Sequence, residues 1–243
     1  MDMYHSHTQL KESGIRTAVL PVGSIEQHSR HLPLGTDTII ANEMSRRISM
    51  NLTDMGHPNY LLPAISFATS LEHRGFIGTV TLRPPTLGLV IKDVVHSLYE
   101  NDFQYVMLLN FHGGNFILKP TVREINYDRT DRKVVYYDGS AAPEEAVQEI
   151  FETQEMHSGE AETSMILAIN PDWVGEDRPD FVPEYPRPDL DMVSMKKLTP
   201  QGIWGHASKG TAGKGEKYME LESRYAALFL LDWVKRLEKD REY

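Results

Sequence analysis

The chain has 243 residues, with 35 acidic and 25 basic side chains, which gives a formal net charge of −10 when the histidines are neutral. It contains no cysteine, so disulfide scaffolds, cysteine-based zinc modules and thiol catalysis are excluded. The acidic balance argues against nucleic acid or an anionic membrane as the main partner. Hydrophobic residues make up 40% of the chain, as is typical of a folded globular protein.

Short apolar runs alternate with segments of helical periodicity along most of the chain. Strands are predicted at 17–22, 60–65, 105–111 and 133–137, of which the first is expected to be buried and the third to be central in the sheet. Helices are predicted at about 38–50, 85–101, 119–127 and 218–239, with further helical stretches within 143–169. In the last helix we expect five side chains to be buried: Leu221, Tyr225, Leu228, Phe229 and Val234. The alternation predicts an α/β fold of three layers, with a mostly parallel central sheet between helices.

Segment 172–200 breaks this alternation, because it holds five prolines and many acidic residues without periodicity. We predict a long loop there, and loops of that length are often lids or contact arms. Because the sequence shows no boundary between two domains, we expect one domain over 1–243.

The N-terminal segment lacks an apolar signal core, and the longest apolar runs, such as 226–231, are too short to span a membrane. These features predict a soluble cytoplasmic protein.

A first group of polar residues follows the first predicted strand. Glu26 and His28 lie two residues apart, so in an extended segment their side chains point the same way and can meet one ion. Asp37 follows after a turn and lies near the start of the next helix. Sites of open α/β sheets lie beyond the carboxyl ends of strands, where these residues are expected. Alternatively, Asp37 is a helix N-cap and Glu26 a solvated loop acid.

Two further groups lie later in the chain. His112 ends the strand predicted at 105–111, and two glycines after it permit a sharp turn. Glu162 is expected near a helix start, with His157 about one turn earlier. Alternatively, His112 is a hydrogen-bonded structural residue, and Glu160 and Glu162 are acids that favour the dipole of a capped helix.

Together these groups supply the nitrogen and oxygen ligands that suit Zn²⁺, Mn²⁺ or Fe²⁺. The sequence patterns HExxH and GxSxG are both absent from the chain. The glycine-rich stretch 202–215 is not a phosphate-binding loop, because Thr211 and Ala212 stand where Lys and Ser or Thr are required.

Residues 21–38, PVGSIEQHSRHLPLGTDT, closely resemble the signature of the creatininase (creatinine amidohydrolase) family. Residues 111–115, FHGGN, resemble its His-Gly-Gly-Asn element, and residues 157–164, HSGEAETS, its His-x-Gly…Glu-Thr-Ser element. Residues 70–79, with SLEH and Phe-x-Gly-Thr, resemble the segment between them. The matches keep the family order from about residue 17 to residue 169, and a weaker glycine-rich match lies at 202–215.

The resemblance implies a creatininase-like fold and a dinuclear metal-dependent hydrolase that acts on non-peptide or unusual amide C–N bonds of a small molecule. It implies that Glu26 and His112 hold one metal ion, that His28 and Glu162 hold the other, and that Asp37 bridges them. It also implies that His157 carries a proton to the leaving nitrogen. Family members are homo-oligomers, often hexamers, so the same is expected here.

The chain departs from the family pattern at two places. Creatininase proper has a metal-binding Glu where this chain has Gly114, so we expect Glu162 to replace that ligand. Creatinine is therefore a doubtful substrate. Branches that resemble the formamide hydrolases of flavin and deazaflavin synthesis, or the peptide-trimming member of mycofactocin maturation, stay open. Ser29 and Arg30 replace the usual Gly-Pro, and Arg30 is either a binding residue for an anionic substrate group or a solvent-facing side chain.

The segment that resembles the region between the family elements adds Glu72 and His73 as candidate substrate-binding residues. Two alternatives to an enzyme remain at the level of the sequence. The first is a binding domain that keeps the metal or ligand and has lost turnover. The second is a structural subunit of an oligomer, which predicts no bound metal.

Overall fold

The computed structural model describes residues 1–128 and 131–239. Its central sheet contains four strands: β1 (Thr17–Val22), β2 (Tyr60–Leu61), β3 (Tyr105–Asn110) and β4 (Lys133–Tyr137). They lie in the order β2-β1-β3-β4, and all three neighbouring pairs are parallel. The predicted parallel sheet is therefore confirmed.

Eight α-helices are assigned within the described residues: α1 (His7–Ser13), α2 (Thr36–Asp54), α3 (Pro84–Glu100), α4 (Leu118–Asp128), α5 (Glu144–Gln148), α6 (Glu160–Ile169), α7 (Met195–Leu198) and α8 (Ala212–Lys239). Two 3₁₀ helices also bear on the site, Leu71–His73 and Arg187–Asp191. None of the described helices combines the length and the apolar composition of a membrane span.

The three layers follow from strands that are buried on both faces. Every residue of β1 and β3 is buried. Side chains alternate along a strand, so Leu20 of β1 packs with α3 and α4, whereas Val19 packs with α2 and α8 on the opposite face. The predicted arrangement of helices on both faces of a sheet is confirmed.

The order of the strands explains where a site can form. The chain places β2 on one side of β1 and β3 on the other, so β1 and β3 flank the point at which the strand order reverses. Val22 and Asn110, the last residues of these strands, are register partners, so both strands end at the same level. The segments that follow them meet at one edge of the sheet, where α/β proteins bind ligands.

Several predicted elements differ in length from those observed. The second strand ends at Leu61, because Pro63 lacks the N–H that a further ladder hydrogen bond requires, and only a bridge from Val22 to Ile65 continues it. The last helix begins at Ala212, six residues earlier than predicted. The short helix α1 was not predicted; it is capped by Ser6 and buries no residue.

The predicted buried face of the last helix is wrong apart from Val234 and the half-buried Leu221. Tyr225, Leu228 and Phe229 are exposed, whereas Ala226 and Ala227 are fully buried against the sheet. Leu230 and Val234 complete the buried face of α8, whereas Tyr225, Leu228 and Phe229 face outward.

The prediction of an irregular loop over 172–200 is wrong in part. The segment contains the 3₁₀ helix Arg187–Asp191 and α7, and residues Asp180–Phe181 (β5) pair with Gly205–His206 (β6). Met195 and Leu198 of α7 are buried beside Trp204. Apolar contacts with distant parts of the chain thus order a segment that has no periodicity of its own. The single domain and the homo-oligomer stay predictions.

Candidate metal centre

Four elements of the fold deliver the predicted ligands to the carboxyl edge of the sheet. Glu26 and His28 follow β1, His112 follows β3, and Asp37 and Glu162 lie in the first turns of α2 and α6. Four of these side chains are buried, and the side chain of Glu162 is 21% exposed. The structure therefore brings together residues that are up to 136 positions apart in the sequence, from 26 to 162.

The first potential metal-binding group consists of Glu26, Asp37 and His112, whose donor atoms lie within 4.8 Å of one another. His112 Nδ1 is 3.1 Å from Asp37 Oδ2, and His112 Nε2 is 3.1 Å from Glu26 Oε2. The Nε2–H group also donates a hydrogen bond to the backbone oxygen of Thr69 at 2.8 Å. Because a carbonyl only accepts, this bond leaves Nδ1 as the ring nitrogen that is able to bind a metal.

The second group consists of His28, Asp37 and Glu162, again within 4.8 Å. His28 Nε2 lies 3.2 Å from Asp37 Oδ1 and 3.9 Å from Glu162 Oε2. The other ring nitrogen, Nδ1, donates to the backbone oxygen of Glu26 at 3.1 Å and so orients Nε2 toward the carboxylates. Asp37 belongs to both groups and turns one carboxylate oxygen toward each histidine.

Burial and mutual attraction set the charges of this cluster. Burial raises the pKa of Glu26 to about 8, with a partial offset from His112. Burial alone lowers the pKa of His28, but the Asp37 carboxylate overcomes that effect and the pKa rises to about 10. The pKa of His112 also rises to about 10, because Glu26 and Asp37 outweigh its burial. A divalent cation therefore displaces protons from these histidines, and its binding strengthens with rising pH.

Unpartnered oxygen atoms show that the cluster fits a cation. Burial raises the pKa of Asp37, but His28 and His112 outweigh this effect and hold the pKa well below its ordinary value, so the group is an anion. Among the described residues, Glu26 Oε1 and Asp37 Oδ2 are buried and accept no hydrogen bond of suitable geometry, although histidine nitrogens lie 3.2 and 3.1 Å from them. Unpaired buried oxygens are costly, and a divalent cation between the two carboxylates supplies the missing partner.

His157 lies at the same edge and forms a third potential group with Glu26 and His28. Its Nε2–H donates to the backbone oxygen of Gln27 at 2.8 Å, and its Nδ1 lies 3.7 Å from Glu26 Oε1. Burial, together with the nearby rings of His73 and His28, holds the pKa of His157 well below its ordinary value. His157 is therefore a neutral imidazole whose Nδ1 faces the cluster.

His73 and Glu72 approach the cluster from the 3₁₀ helix Leu71–His73. His73 is buried, with Nε2 at 3.2 Å from Glu26 Oε1, and burial lowers its pKa to about 3. Glu72 Oε1 lies 3.8 Å from His112 Nε2. Both side chains line the cavity described below, which is where candidate substrate-binding residues are expected.

Gly114, the position at which the resemblance leads one to expect a metal-binding Glu, is tightly enclosed. A Cβ atom at this position would lie 2.3 Å from Glu72 Oε1, 2.4 Å from His112 Nε2 and 2.5 Å from the oxygen of Thr69. The backbone at Gly114 therefore leaves no room for a side chain, because the carboxylate of Glu72 lies where a Cβ atom would have to be placed.

The structure corrects three interpretations of single residues. Arg30 is exposed, pairs with Asp177 at 2.8 Å and lines a separate surface pocket, so its position does not support a substrate-binding role in this cavity. Asp37 does not cap α2, whose N-cap is Gly35 without a side-chain hydrogen bond. Glu160 is fully buried and pairs with Lys214, so it does more than favour the dipole of α6.

A cavity of about 780 Å³ opens onto the cluster. Asp37, His112, His157 and Glu162 line it on one side, and apolar side chains such as Phe116 and Met192 contribute to the rest. A second cavity of about 360 Å³ shares His112 and Glu162 with the first. Segment 187–195 contributes much of the lining of the larger cavity, so the cluster is accessible but partly covered.

Sequence reasoning missed two residues at this site. Gln27 is buried; its amide Nε2–H donates to His73 Nδ1 at 2.8 Å, and its backbone oxygen accepts from His157 Nε2–H at 2.8 Å, so it links both histidines. Its place between Glu26 and His28 was a signal that reasoning about charged residues overlooked. Arg187 lines both cavities, and no local pattern distinguishes it from the other residues of a proline-rich segment.

The parallel sheet and the buried cluster of carboxylates and histidines at its edge define an α/β protein with a candidate metal centre. The family model “Creatininase: Creatinine amidohydrolase” matches residues 3–230. The chain therefore belongs to the creatininase family, as its motifs predicted, and it is a hydrolase of that family.

Relatives within the family carry different activities. The chain is 29% identical to the mycofactocin precursor peptide peptidase of Mycolicibacterium smegmatis (strain ATCC 700084 / mc(2)155), and the match covers 98% of this chain and 96% of the relative. It is 28% identical to the creatinine amidohydrolase of Pseudomonas putida over 219 residues, 84% of each chain. The solved structure “Creatininase Mn” matches with a TM-score of 0.81 at 22% identity, over 95% of this chain and 97% of that one. The predicted creatininase-like fold is confirmed.

Proposed function

We propose that the protein is a dinuclear metal-dependent amidohydrolase that cleaves a C–N bond of a small molecule, such as a cyclic amide or a formamide. The observation that carries the proposal is the position of Asp37, whose carboxylate belongs to two groups of potential ligands. Glu26 and His112 complete one group, and His28 and Glu162 complete the other. Carboxylate and imidazole ligands suit Zn²⁺, Mn²⁺ or Fe²⁺, and a shared carboxylate suits two ions held close together.

Two bound divalent cations supply an acidified water and a polarised substrate carbonyl. The protein has to hold the ligands and move the proton. His157 is suited to the second task, because its Nε2–H is engaged with the oxygen of Gln27, whereas its Nδ1 faces Glu26 Oε1 at 3.7 Å. As a neutral base, His157 accepts a proton from the attacking water and then donates it to the leaving nitrogen.

His157 also lies close enough to Glu26 and His28 to act as a metal ligand. Its ring belongs to the potential group with Glu26 and His28, so a third histidine ligand is the alternative to a proton carrier. The two roles differ in metal content, since loss of a ligand removes an ion and loss of a proton carrier does not.

A second candidate function is peptide trimming. The cavity of about 780 Å³ lies in the range of pockets that hold drug-sized ligands and exceeds what a small cyclic amide fills. The relative that matches 98% of this chain is a peptide peptidase. A short peptide amide is therefore a second candidate substrate, cleaved by the same residues.

Metal analysis combined with a substrate panel tests the proposal. The full chain is stripped with a chelator, reconstituted with Zn²⁺, Mn²⁺ or Fe²⁺, and assayed against a cyclic amide, a formamide and an acylated dipeptide. We expect two ions per subunit, with hydrolysis that is lost on chelation and restored by metal. One ion per subunit would contradict the dinuclear centre. Two ions without any hydrolysis would favour a non-catalytic binding domain, and no bound metal would favour a structural subunit.

A further inference from the structure

Two arginines line the large cavity without a partner. Arg74 directly follows the 3₁₀ helix Leu71–His73, and Arg187 begins the 3₁₀ helix Arg187–Asp191. Neither guanidinium makes an ion pair or a hydrogen bond with any residue in the described part of the chain. Arg30 and Arg47, in contrast, are paired with Asp177 and Glu216.

Arg187 lies next to the candidate metal centre. Its Nη2 atom is 3.5 Å from the position that a Cβ of Gly113 would take, and Gly113 directly follows His112. Arg187 also lines the second cavity, so its guanidinium stands where the two cavities adjoin. A ligand that contacts the cluster therefore comes within reach of this side chain.

The charges around the cavity indicate what these arginines bind. The acidic side chains Asp37 and Glu162 belong to the cluster and are neutralised when cations bind there. Arginine keeps its charge at any physiological pH, so Arg74 and Arg187 then balance Glu72 and Asp191, the acidic side chains that remain on the wall. A single carboxylate fits a guanidinium that has no partner in the described part of the chain, because the planar group forms two parallel hydrogen bonds with it. A phosphate dianion fits less well, since Glu72 and Asp191 line the same cavity and repel the second charge.

We propose that Arg187, together with Arg74, binds a carboxylate of the substrate, so that the substrate is an N-acyl amino acid or a short peptide with a free carboxylate. Apolar residues of the same cavity, Leu71, Phe116 and Met192, suit an apolar side chain on that amino acid. The inference rests on the proposed amide hydrolysis and names the class of amide.

Matched pairs of substrates test this inference. The metal-reconstituted full chain is assayed on N-formyl-L-phenylalanine and N-acetylglycyl-L-phenylalanine, each compared with its C-terminal amide. Arg187→Gln and Arg74→Gln are compared with Arg224→Gln, a change of an exposed arginine on α8 that does not line the cavity. Calorimetric titration with those acids and amides that a protein does not hydrolyse measures binding independently of turnover, and metal content is measured for every variant.

We expect the wild type and Arg224→Gln to favour the acids by about 10- to 100-fold in kcat/KM, the size of a charge-assisted hydrogen-bonded pair. In Arg187→Gln this preference disappears through a higher KM for the acids, while metal content, kcat and the use of the amides are retained. Arg74→Gln shows a smaller change in the same direction.

Two results would overturn the inference and leave the proposed hydrolysis intact. The first is equal use of acids and amides by the wild type. The second is an undiminished preference for the acids in Arg187→Gln, which would assign the carboxylate to the metal ions. If neither pair is hydrolysed by the wild type with two ions bound, amide hydrolysis of these classes fails. The calorimetric preference for the acids and its loss in Arg187→Gln then decide the inference by themselves.

Discussion

The loops that follow β1 and β3 differ from segment 172–200 in how the fold holds them, although the loop after β3 and segment 172–200 line the same cavity. The loops continue from adjacent strands that end at the same level, and their polar residues Glu26, His28 and His112 are buried. In segment 172–200, α7 is anchored by the buried Met195 and Leu198, whereas Arg187 is exposed.

This difference separates two tasks. A metal centre needs ligands held by a rigid frame, and the ends of two paired strands provide one. Selection between substrates needs side chains that reach a ligand in an open cavity, and surface segments on a rigid scaffold provide those. We therefore expect changes beside the sheet to affect metal and turnover, and changes in segment 172–200 to affect the choice of substrate.

The largest effect is expected from Asp37→Ala. Asp37 belongs to both potential ligand groups, so its loss removes a bond to each ion. Metal analysis should find both ions lost, and turnover should fall by more than about 10³-fold, beyond the usual cost of one electrostatic group. His31→Ala is the control from the same motif, because His31 faces Thr163 at 3.0 Å rather than the cluster. Loss of metal in His31→Ala but not in His28→Ala would show that the motif is assigned in the wrong register.

A smaller loss of metal is expected from Glu162→Gln. Glu162 belongs to the group with His28 and Asp37 only, so one ion should be lost and the other retained. Metal stoichiometry by mass spectrometry measures the change directly. Equal metal content in the wild type and in Glu162→Gln would contradict the replacement of the Glu that is missing at Gly114.

Loss of turnover without loss of metal is expected from His157→Ala. Removal of general acid–base catalysis typically costs about 10²- to 10⁴-fold in rate. Turnover and metal content are measured on the same purified variant. A missing ion would identify His157 as a ligand, and undiminished turnover would identify it as a structural residue.

The substitution Gly114→Ala is expected to displace the ligand His112 without removing any ligand. The new Cβ would lie within 2.5 Å of Glu72, His112 and the backbone of Thr69, so the ring of His112 has to shift. Disturbing the support of a metal ligand typically costs about 10- to 100-fold in metal affinity or activity. Gly113→Ala is the matched control, since its Cβ meets only Arg187, at an ordinary 3.5 Å. Equal activity of the two variants would contradict the tight packing at Gly114.

The smallest effect on the site is expected from Glu160→Gln, which lies two residues from Glu162 but outside the cluster. Its carboxylate accepts hydrogen bonds from Thr153 N and Thr153 Oγ1 at 2.8 and 2.7 Å and pairs with Lys214. The free energy of unfolding should fall by about 1.5–3 kcal/mol, the contribution of a hydrogen bond to a charged group. Urea unfolding measures this loss, and metal content should stay unchanged. A loss of metal with unchanged stability would place Glu160 in the centre instead.

The sequence by itself determined the strands and the set of candidate ligands. The strands β1, β3 and β4 are short apolar runs, and their burial follows from the composition of those few residues. The motifs that contain Glu26, His112 and Glu162 either follow the end of a strand or begin a helix. Their meeting at one edge also follows from local information, because parallel strands share the direction of their carboxyl ends.

Only the tertiary structure decided which sides of these elements face inward and which charges find partners. Residues far away in the chain determine which face of α8 is buried, which residue pairs with Arg30 and why Glu160 is buried. The same holds for Arg187, whose place beside Gly113 no local pattern predicts. Periodicity reports how often a side chain returns to one face, but the face that is buried is chosen by the surface against which the element packs.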